Sequence, residues 1–138
     1  MKKSLFVFTL LISLSINTVF AVNSYDASGR KTGSIKETST GYNKYDANGR
    51  KSTTYKKTAD GYNSYDKNGR KTGSYKQTST GLNKYDSSGR KVGSYRKNPN
   101  GNITIYDANG RKTGTIKQNS NGTLTKYDRN GRKVGSWR

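Results

Sequence analysis

Lysine is the residue whose spacing carries the most chemical information in this 138-residue chain, which holds 27 basic and 8 acidic side chains. Two basic rows recur every 20 or 21 residues. The first row comprises Lys31, Lys51, Lys71, Lys91, Lys112 and Lys133. The second row comprises Lys36, Lys56, Lys76, Arg96 and Lys117. Because such cations neutralise phosphate, sulfate and carboxylate groups, the two rows predict binding of anions.

Tyrosines recur between the basic residues, and their rings could stack on sugars or bases. This ladder comprises Tyr45, Tyr55, Tyr65, Tyr75, Tyr85, Tyr95, Tyr106 and Tyr127. A basic lattice interleaved with tyrosine predicts a repetitive polyanion or an anionic cell surface as partner, such as lipopolysaccharide, a sulfated glycan, teichoic acid or extracellular DNA. A simpler alternative is that the lysines only keep a β protein from aggregating, but solubility does not need so large a net charge.

Catalysis is not expected, because the chain contains neither histidine nor cysteine. The commonest general base, the thiol nucleophile and the usual transition-metal ligands are therefore missing. Most of the carboxylates belong to Asp-x-[Asn/Ser]-Gly segments, where aspartate typically binds its own backbone. These segments lack the other oxygen ligands of a calcium loop. The sequence thus predicts a non-enzymatic protein without a metal or other cofactor.

A seven-residue motif, Tyr-Asp-x-[Asn/Ser]-Gly-Arg-Lys, organises the chain. Its copies begin at Tyr25, Tyr45, Tyr65, Tyr85, Tyr106 and Tyr127. Six copies at a fixed period indicate a repeat protein.

Each repeat contains two predicted turns. Aspartate at the first position and glycine at the fourth favour a type I turn closed by a left-handed glycine. The turn glycines of the motif are Gly29, Gly49, Gly69, Gly89, Gly110 and Gly131. A second turn follows about ten residues later, as in Thr38-Ser39-Thr40-Gly41, and in one repeat Pro99 occupies its second position.

The segments between turns are short and rich in Thr, Ser and Tyr, which favours strands. We therefore predict an all-β fold of about six tandem hairpins that form a single elongated, twisted antiparallel sheet or strip. Tyr45 is expected opposite Lys51. Strand alternation then places the tyrosine ladder and the first basic row, which includes Lys31, on one face, and the second basic row, which includes Lys36, on the other. The expected cross-strand partners are Ile35/Tyr45, Tyr55/Tyr65, Tyr75/Tyr85, Tyr95/Tyr106 and Ile116/Tyr127, provided that an inserted residue near Asn102 and Thr123 lengthens the turn.

Residues 1–21 are typical of a bacterial signal peptide. Lys2 and Lys3 precede the apolar segment 5–14, and Val19-Phe20-Ala21 resembles a cleavage site before Val22. The predicted mature domain, 22–138, would carry 25 basic and 8 acidic side chains, a net charge of +17, and no apolar run of membrane-spanning length. We therefore expect a secreted or periplasmic protein.

Aliphatic residues are scarce in segment 22–138, where leucine, isoleucine and valine together number nine. Such a composition also fits a chain that is partly disordered when alone. Order could then depend on a partner or on stacking.

The motif resembles the YD repeats of Rhs-type proteins, whose pattern is Tyr-Asp-x-x-Gly-Arg followed by an apolar residue. The resemblance covers about residues 25–137 and implies successive β-hairpins in a strip of sheet. Here lysine replaces the apolar residue, and six repeats are too few to enclose a toxin domain as large family members do. A weaker similarity to hairpin repeats of the MORN kind also implies a structural module.

Two further functional hypotheses remain open. Strips could stack edge to edge through zipped tyrosines, which describes a self-associating matrix or fibre protein. A cationic protein that acts on membranes or host targets is the other hypothesis, although no segment is amphipathic at helical spacing. Salt separates the first two functions, because a polyanion binder releases its ligand as salt rises whereas a fibre of like-charged strips assembles more readily.

Overall fold

The computed structural model describes residues 21–138, which form antiparallel β-strands joined by short turns. Of the predicted signal peptide only Ala21 falls within this range, so that prediction lies outside the described residues. No helix within residues 21–138 has the length and apolarity needed to cross a membrane.

The strands follow one another in chain order, two to a hairpin. Their bounds are β1 Ala21–Asp26, β2 Lys31–Thr38, β3 Gly41–Asp46, β4 Lys51–Thr58, β5 Gly61–Asp66, β6 Lys71–Gln77, β7 Gly81–Asp86, β8 Lys91–Lys97, β9 Ile103–Asp107, β10 Lys112–Gln118, β11 Leu124–Asp128 and β12 Lys133–Trp137. The predicted all-β hairpin series is thus confirmed.

The sheet is closed rather than open. Each strand pairs with its neighbours in the chain, and β12 pairs with β1, so the twelve strands form a barrel. The predicted elongated strip is therefore wrong. Closure pairs both edges of the sheet and turns one face into an interior, which lets a chain with few aliphatic residues bury most of them.

The β1–β12 seam copies the register found within each repeat. Gly135 pairs with Asp26 across the seam, just as Gly33 pairs with Asp46 across the second turn of the first repeat. The seam thus replaces a sixth second turn. The twelve strands close because the first and last half-repeats complete one another.

The motif turns adopt the predicted conformation. In the first, the Gly29 N–H donates to the Asp26 carbonyl (3.0 Å), and the Asp26 N–H donates to the Arg30 carbonyl (2.9 Å). The equivalent bonds recur in all six motif turns. All six motif glycines have φ between 81° and 85°, in the left-handed region, namely Gly29, Gly49, Gly69, Gly89, Gly110 and Gly131.

The second turn sets a register one residue away from the prediction. Thr38 pairs with Gly41, so only two residues form the loop. Ile35 consequently faces Lys44, and Tyr45 faces Ser34. The inserted residue in the last two repeats does lengthen the turn, as predicted, and preserves this same register. The expected partners Ile35/Tyr45, Tyr55/Tyr65, Tyr75/Tyr85, Tyr95/Tyr106 and Ile116/Tyr127 are therefore wrong by one residue.

A β-bulge beside each motif turn reverses the side of the sheet that the following side chains face. Tyr45 pairs with Lys51 as predicted, but Lys44 pairs with Thr53, so Ser52 is an extra residue. Side chains before and after the bulge therefore face opposite sides of the sheet. The predicted single-face ladder is wrong, because Tyr55, Tyr75 and Tyr95 face the interior while the motif tyrosines Tyr45, Tyr65, Tyr85, Tyr106 and Tyr127 lie on the outer wall.

The interior is filled mostly by two rings of side chains. An eight-stranded barrel is just wide enough for its interior to be filled by side chains, so twelve strands need large ones such as tyrosine. The buried ring, in which every member is at most 7% exposed, comprises Val22, Tyr42, Tyr62, Leu82, Ile103 and Leu124. The adjacent cavity ring comprises Ile35, Tyr55, Tyr75, Tyr95, Ile116 and Trp137.

Glycines within the strands permit close strand contact. A Cβ at Gly33 would collide with the Tyr45 carbonyl oxygen, and one at Gly73 with the Tyr85 carbonyl oxygen. A backbone carbonyl of the adjacent strand therefore approaches each of these positions closely. Thr53 occupies the equivalent place in the second repeat.

Candidate anion-binding surface

The outer wall is built from a unit of one tyrosine and two basic residues. The Lys36 ammonium lies 5.3 Å from the centre of the Tyr45 ring, within the range of a cation–π interaction. Lys51 pairs with Tyr45 from β4, the strand on the other flank of β3. Five of the six outward motif tyrosines therefore lie between one residue of each basic row, and Tyr25 lies between Lys31 and Arg138.

This unit recurs six times around the barrel. The distances from cation to ring centre are 4.2 Å for Arg138/Tyr25, 5.3 Å for Lys36/Tyr45, 5.2 Å for Lys56/Tyr65, 5.6 Å for Lys76/Tyr85, 5.4 Å for Arg96/Tyr106 and 5.2 Å for Lys117/Tyr127. We call these the outer units. Five of them use the second basic row, and the sixth closes the circle at the seam.

The two predicted basic rows are brought together rather than separated. The Lys36-type residues were expected on the face opposite the motif tyrosines, which is wrong because they lie over those rings. All eleven side chains are exposed, and they are Lys31, Lys51, Lys71, Lys91, Lys112, Lys133, Lys36, Lys56, Lys76, Arg96 and Lys117. The two basic rows thus form one exposed cationic surface around the barrel, and each outward tyrosine ring has a cation over one of its faces.

The motif aspartates are engaged by their own turns. The Oδ1 atom of Asp26 accepts hydrogen bonds from the Ser28 N–H (2.9 Å) and the Arg30 N–H (3.0 Å). The same two bonds are made by Asp46, Asp66, Asp86, Asp107 and Asp128. This confirms that the aspartates are turn residues bonding their own backbone.

Two motif turns also contain an ion pair between aspartate and arginine. Arg30 Nε lies 3.1 Å from Asp26 Oδ2, and Arg90 Nε lies 3.2 Å from Asp86 Oδ2. Within residues 21–138 these are the two ion pairs. Consequently neither basic row is neutralised by a carboxylate in the part of the chain that the structure describes.

The turn hydrogen bonds also keep the aspartates ionised. The backbone N–H of Arg30 is the main cause that lowers the pKa of Asp26. The N–H groups of Arg90 and Arg111 likewise lower the pKa of Asp86 and Asp107. The negative charge of each of these carboxylates is thus stabilised by N–H groups of its own turn.

Inside the barrel lies a cavity of about 570 Å³ that sequence reasoning missed. Its polar lining includes Lys44, Lys84, Lys126, Tyr55, Tyr75 and Tyr95. Burial raises the pKa of Tyr55 to about 12 and raises the pKa of Tyr75 further. One signal could have revealed the lysines, since each directly precedes a motif tyrosine in every second repeat.

Residues 21–138 contain no group of three or more acidic side chains placed to hold a metal ion. Comparisons with protein-family models, with curated proteins and with solved structures found no match. The resemblance to YD repeats therefore stays a prediction. What the fold and site define is a closed barrel of six hairpin repeats with a cationic, tyrosine-studded outer wall and a lysine-lined cavity.

Proposed function

We propose that this protein is a non-enzymatic binder of polyanionic polymers and that its outer wall is the binding surface. The observation that carries the proposal is the sixfold recurrence of the outer unit without carboxylate partners. Each unit offers two exposed cations for an anionic group. The edge and remaining face of the tyrosine ring offer a surface for a sugar or a base.

The barrel determines how many units one polymer engages. Successive outer units are two strands apart, which is about 10 Å around the wall. A straight polymer therefore contacts two or three neighbouring units on one side. Several weak contacts along one chain combine into strong, salt-sensitive binding, and no metal is required.

Two matched triple variants test this geometry. The clustered variant changes the neighbouring residues Lys36, Lys56 and Lys76 to glutamine, which leaves the opposite side of the wall intact. The distributed variant changes Lys36, Lys76 and Lys117 to glutamine, which removes every second unit. Both variants lose the same charge, so any difference in affinity reflects where the cations stand.

Heparin and duplex DNA serve as probes, and affinity is measured at several salt concentrations. The distributed variant should bind more weakly and show a shallower salt dependence, because each lost phosphate contact removes about 0.9 from the slope for DNA. The clustered variant should bind nearly as wild type through its intact side. Equal affinities for the two variants would contradict a specific surface and indicate attraction by net charge alone.

A panel of polymers tests the class of ligand. At low salt the protein should bind at least one of heparin, lipopolysaccharide, teichoic acid and DNA. Failure to bind any of them would remove the proposal. The alternative of a fibre built by edge-to-edge stacking gains no support, because every strand in residues 21–138 already has two paired neighbours.

We also propose that the protein is exported, with cleavage after Ala21. Strand β1 begins at Ala21, and Val22 is a member of the buried ring, so this cut would leave the ring intact. Intact-mass spectrometry of protein recovered from the periplasm or medium should show a chain that begins at Val22. Retention of residues 1–21 would contradict the proposed cleavage.

A further inference from the structure

Three lysines of the cavity are evenly spaced around the barrel. Lys44 lies on β3, Lys84 on β7 and Lys126 on β11, so each is four strands from the next in a closed sheet of twelve. Each lysine pairs directly with a member of the cavity ring on the adjacent strand. The pairs are Lys44 with Ile35, Lys84 with Tyr75 and Lys126 with Ile116. The three side chains therefore line the cavity from three directions.

Within residues 21–138, no carboxylate lines this cavity. The motif aspartates are bonded to their own turns, and Glu37 pairs with Tyr42 of the buried ring. Like charges that line one cavity repel one another unless a counter-charge lies between them. Three lysines without a carboxylate thus make the cavity an attractive site for an anion.

The rest of the cavity wall has two different sides. Tyr55, Tyr75 and Tyr95 come from the alternate strands β4, β6 and β8, and Lys84 Nζ lies 5.8 Å from the centre of the Tyr75 ring. Trp137 and the isoleucines on β2 and β10 form the other, apolar side. One side is therefore lined by tyrosine rings, and the other offers an apolar surface with a flat indole.

The cavity is closed at one end and accessible to solvent. The buried ring fills the end of the barrel that carries the second turns and takes no part in the cavity lining. Lys44 is exposed even though it lines the cavity. At the motif-turn end the rim carries seven arginines and seven lysines against six aspartates, which draws anions toward the opening.

We propose that this cavity binds a small organic anion with more than one negative charge and a planar, apolar body, as in a nucleotide. Lys44, Lys84 and Lys126 hold the anionic groups, and the body packs against Trp137. A volume of about 570 Å³ lies within the usual range for small-molecule sites. This site is separate from the outer wall and needs no polymer.

Adenosine triphosphate is the probe, and adenosine supplies the body without the charge. Trp137 is the only tryptophan of the chain, so its fluorescence reports on the cavity. Calorimetry on the purified protein gives the affinity independently. The inner triple variant changes Lys44, Lys84 and Lys126 to glutamine, and the distributed outer variant changes Lys36, Lys76 and Lys117, with the same loss of charge.

Adenosine triphosphate should bind saturably to the wild type and change the Trp137 emission, whereas adenosine should bind at least tenfold more weakly. The inner triple variant should lose at least tenfold in affinity, and the outer variant should keep both the affinity and the emission change. Lys84→Gln alone should show a smaller loss, which guards against misfolding of the triple variant. Equal losses in the two triple variants, no saturable binding, or equal binding of adenosine would overturn the proposal.

A positive result remains informative if the outer wall binds no polymer. In that case the inner triple variant alone would lose adenosine triphosphate. The converse result, polymer binding without a change at Trp137, would remove the cavity site and leave the function of the outer wall standing.

Discussion

The guanidinium of Arg138 lies 4.2 Å from the centre of the Tyr25 ring, although these residues stand at opposite ends of the described chain. The backbones on this seam are bonded as well, since the Asn23 N–H donates to the Arg138 carbonyl (2.8 Å) and the Arg138 N–H donates to the Asn23 carbonyl (3.0 Å). The contact completes the sixth outer unit. It also stabilises the only strand pair in residues 21–138 that no turn connects.

The seam should weaken when this contact is removed. In a double-mutant cycle of Arg138→Ala and Tyr25→Leu, we expect a coupling of about 0.5–1 kcal/mol in the free energy of unfolding, as for an exposed cation–π pair. Hydrogen exchange of the β1 amides should quicken in Arg138→Ala. The cycle Lys56→Ala with Tyr65→Leu is the control for a unit held by hairpins, and there the β1 exchange should not change.

Gly89→Val should destabilise the barrel through backbone strain alone. Gly89 has φ of 83°, and a Cβ placed there would meet no atom within 4 Å, so no clash contributes. Holding a side chain in the left-handed region costs about 1–2 kcal/mol, and a β-branched one is especially unfavourable. Urea unfolding measures the loss. Ser87→Val in the same turn should cost much less, and equal losses would contradict the turn assignment.

High pH should destabilise the fold through its interior tyrosines. Burial raises the pKa of Tyr55 from 10.0 to about 12, so the folded state favours the neutral phenol. Its contribution is fully present below pH 10 and is lost as the pH rises toward 12, by on the order of 2 kcal/mol. Tyr55→Phe should make unfolding stability less dependent on pH in this range. Tyr65→Phe on the outer wall is the control, and an identical effect of both would contradict the interior placement.

Acid should loosen the motif turns. The pKa of Asp86 is lowered mainly by the hydrogen bond from the Arg90 N–H, and secondarily by that from Ser88. The stabilisation that its ionised form gives is present above the ordinary carboxyl pKa of 3.8 and is lost as the pH falls below that value. Asp86→Asn should reduce this acid dependence in urea unfolding. Asp60→Asn, in a second turn, should leave it unchanged.

Local turn chemistry was readable from the sequence because each motif turn is set by residues within it. Asp86 bonds the two N–H groups that follow, and Gly89 adopts the only conformation that closes the turn. The count of strands followed from these turns. So did the pairing of Tyr45 with Lys51, which lies next to its turn.

Register and face could not be obtained in the same way. A second turn such as Thr38–Gly41 can close with two or three loop residues, and the bulge at Ser52 leaves no mark in the sequence pattern. Each choice moves every later side chain to the other face. The second basic row was therefore assigned to the face opposite the motif tyrosines, whereas it lies on the outer wall beside them.

Closure depends on long-range geometry and was also beyond the pattern. Nothing local indicates that β12 returns to β1, although Gly135 and Trp137 carry the repeat pattern that allows it. Only closure of the sheet forms the cavity and brings Lys44, Lys84 and Lys126 together around it.

The seam also makes the starting point of the chain arbitrary. Asn23 and Arg138 are hydrogen-bonded neighbours, so a short linker could join the two ends in the manner of another second turn. New ends could then be opened at any exposed turn without changing the strand order around the barrel. The strands of residues 21–138 therefore form a closed circle of six hairpins. Circularly permuted chains should fold to the same barrel.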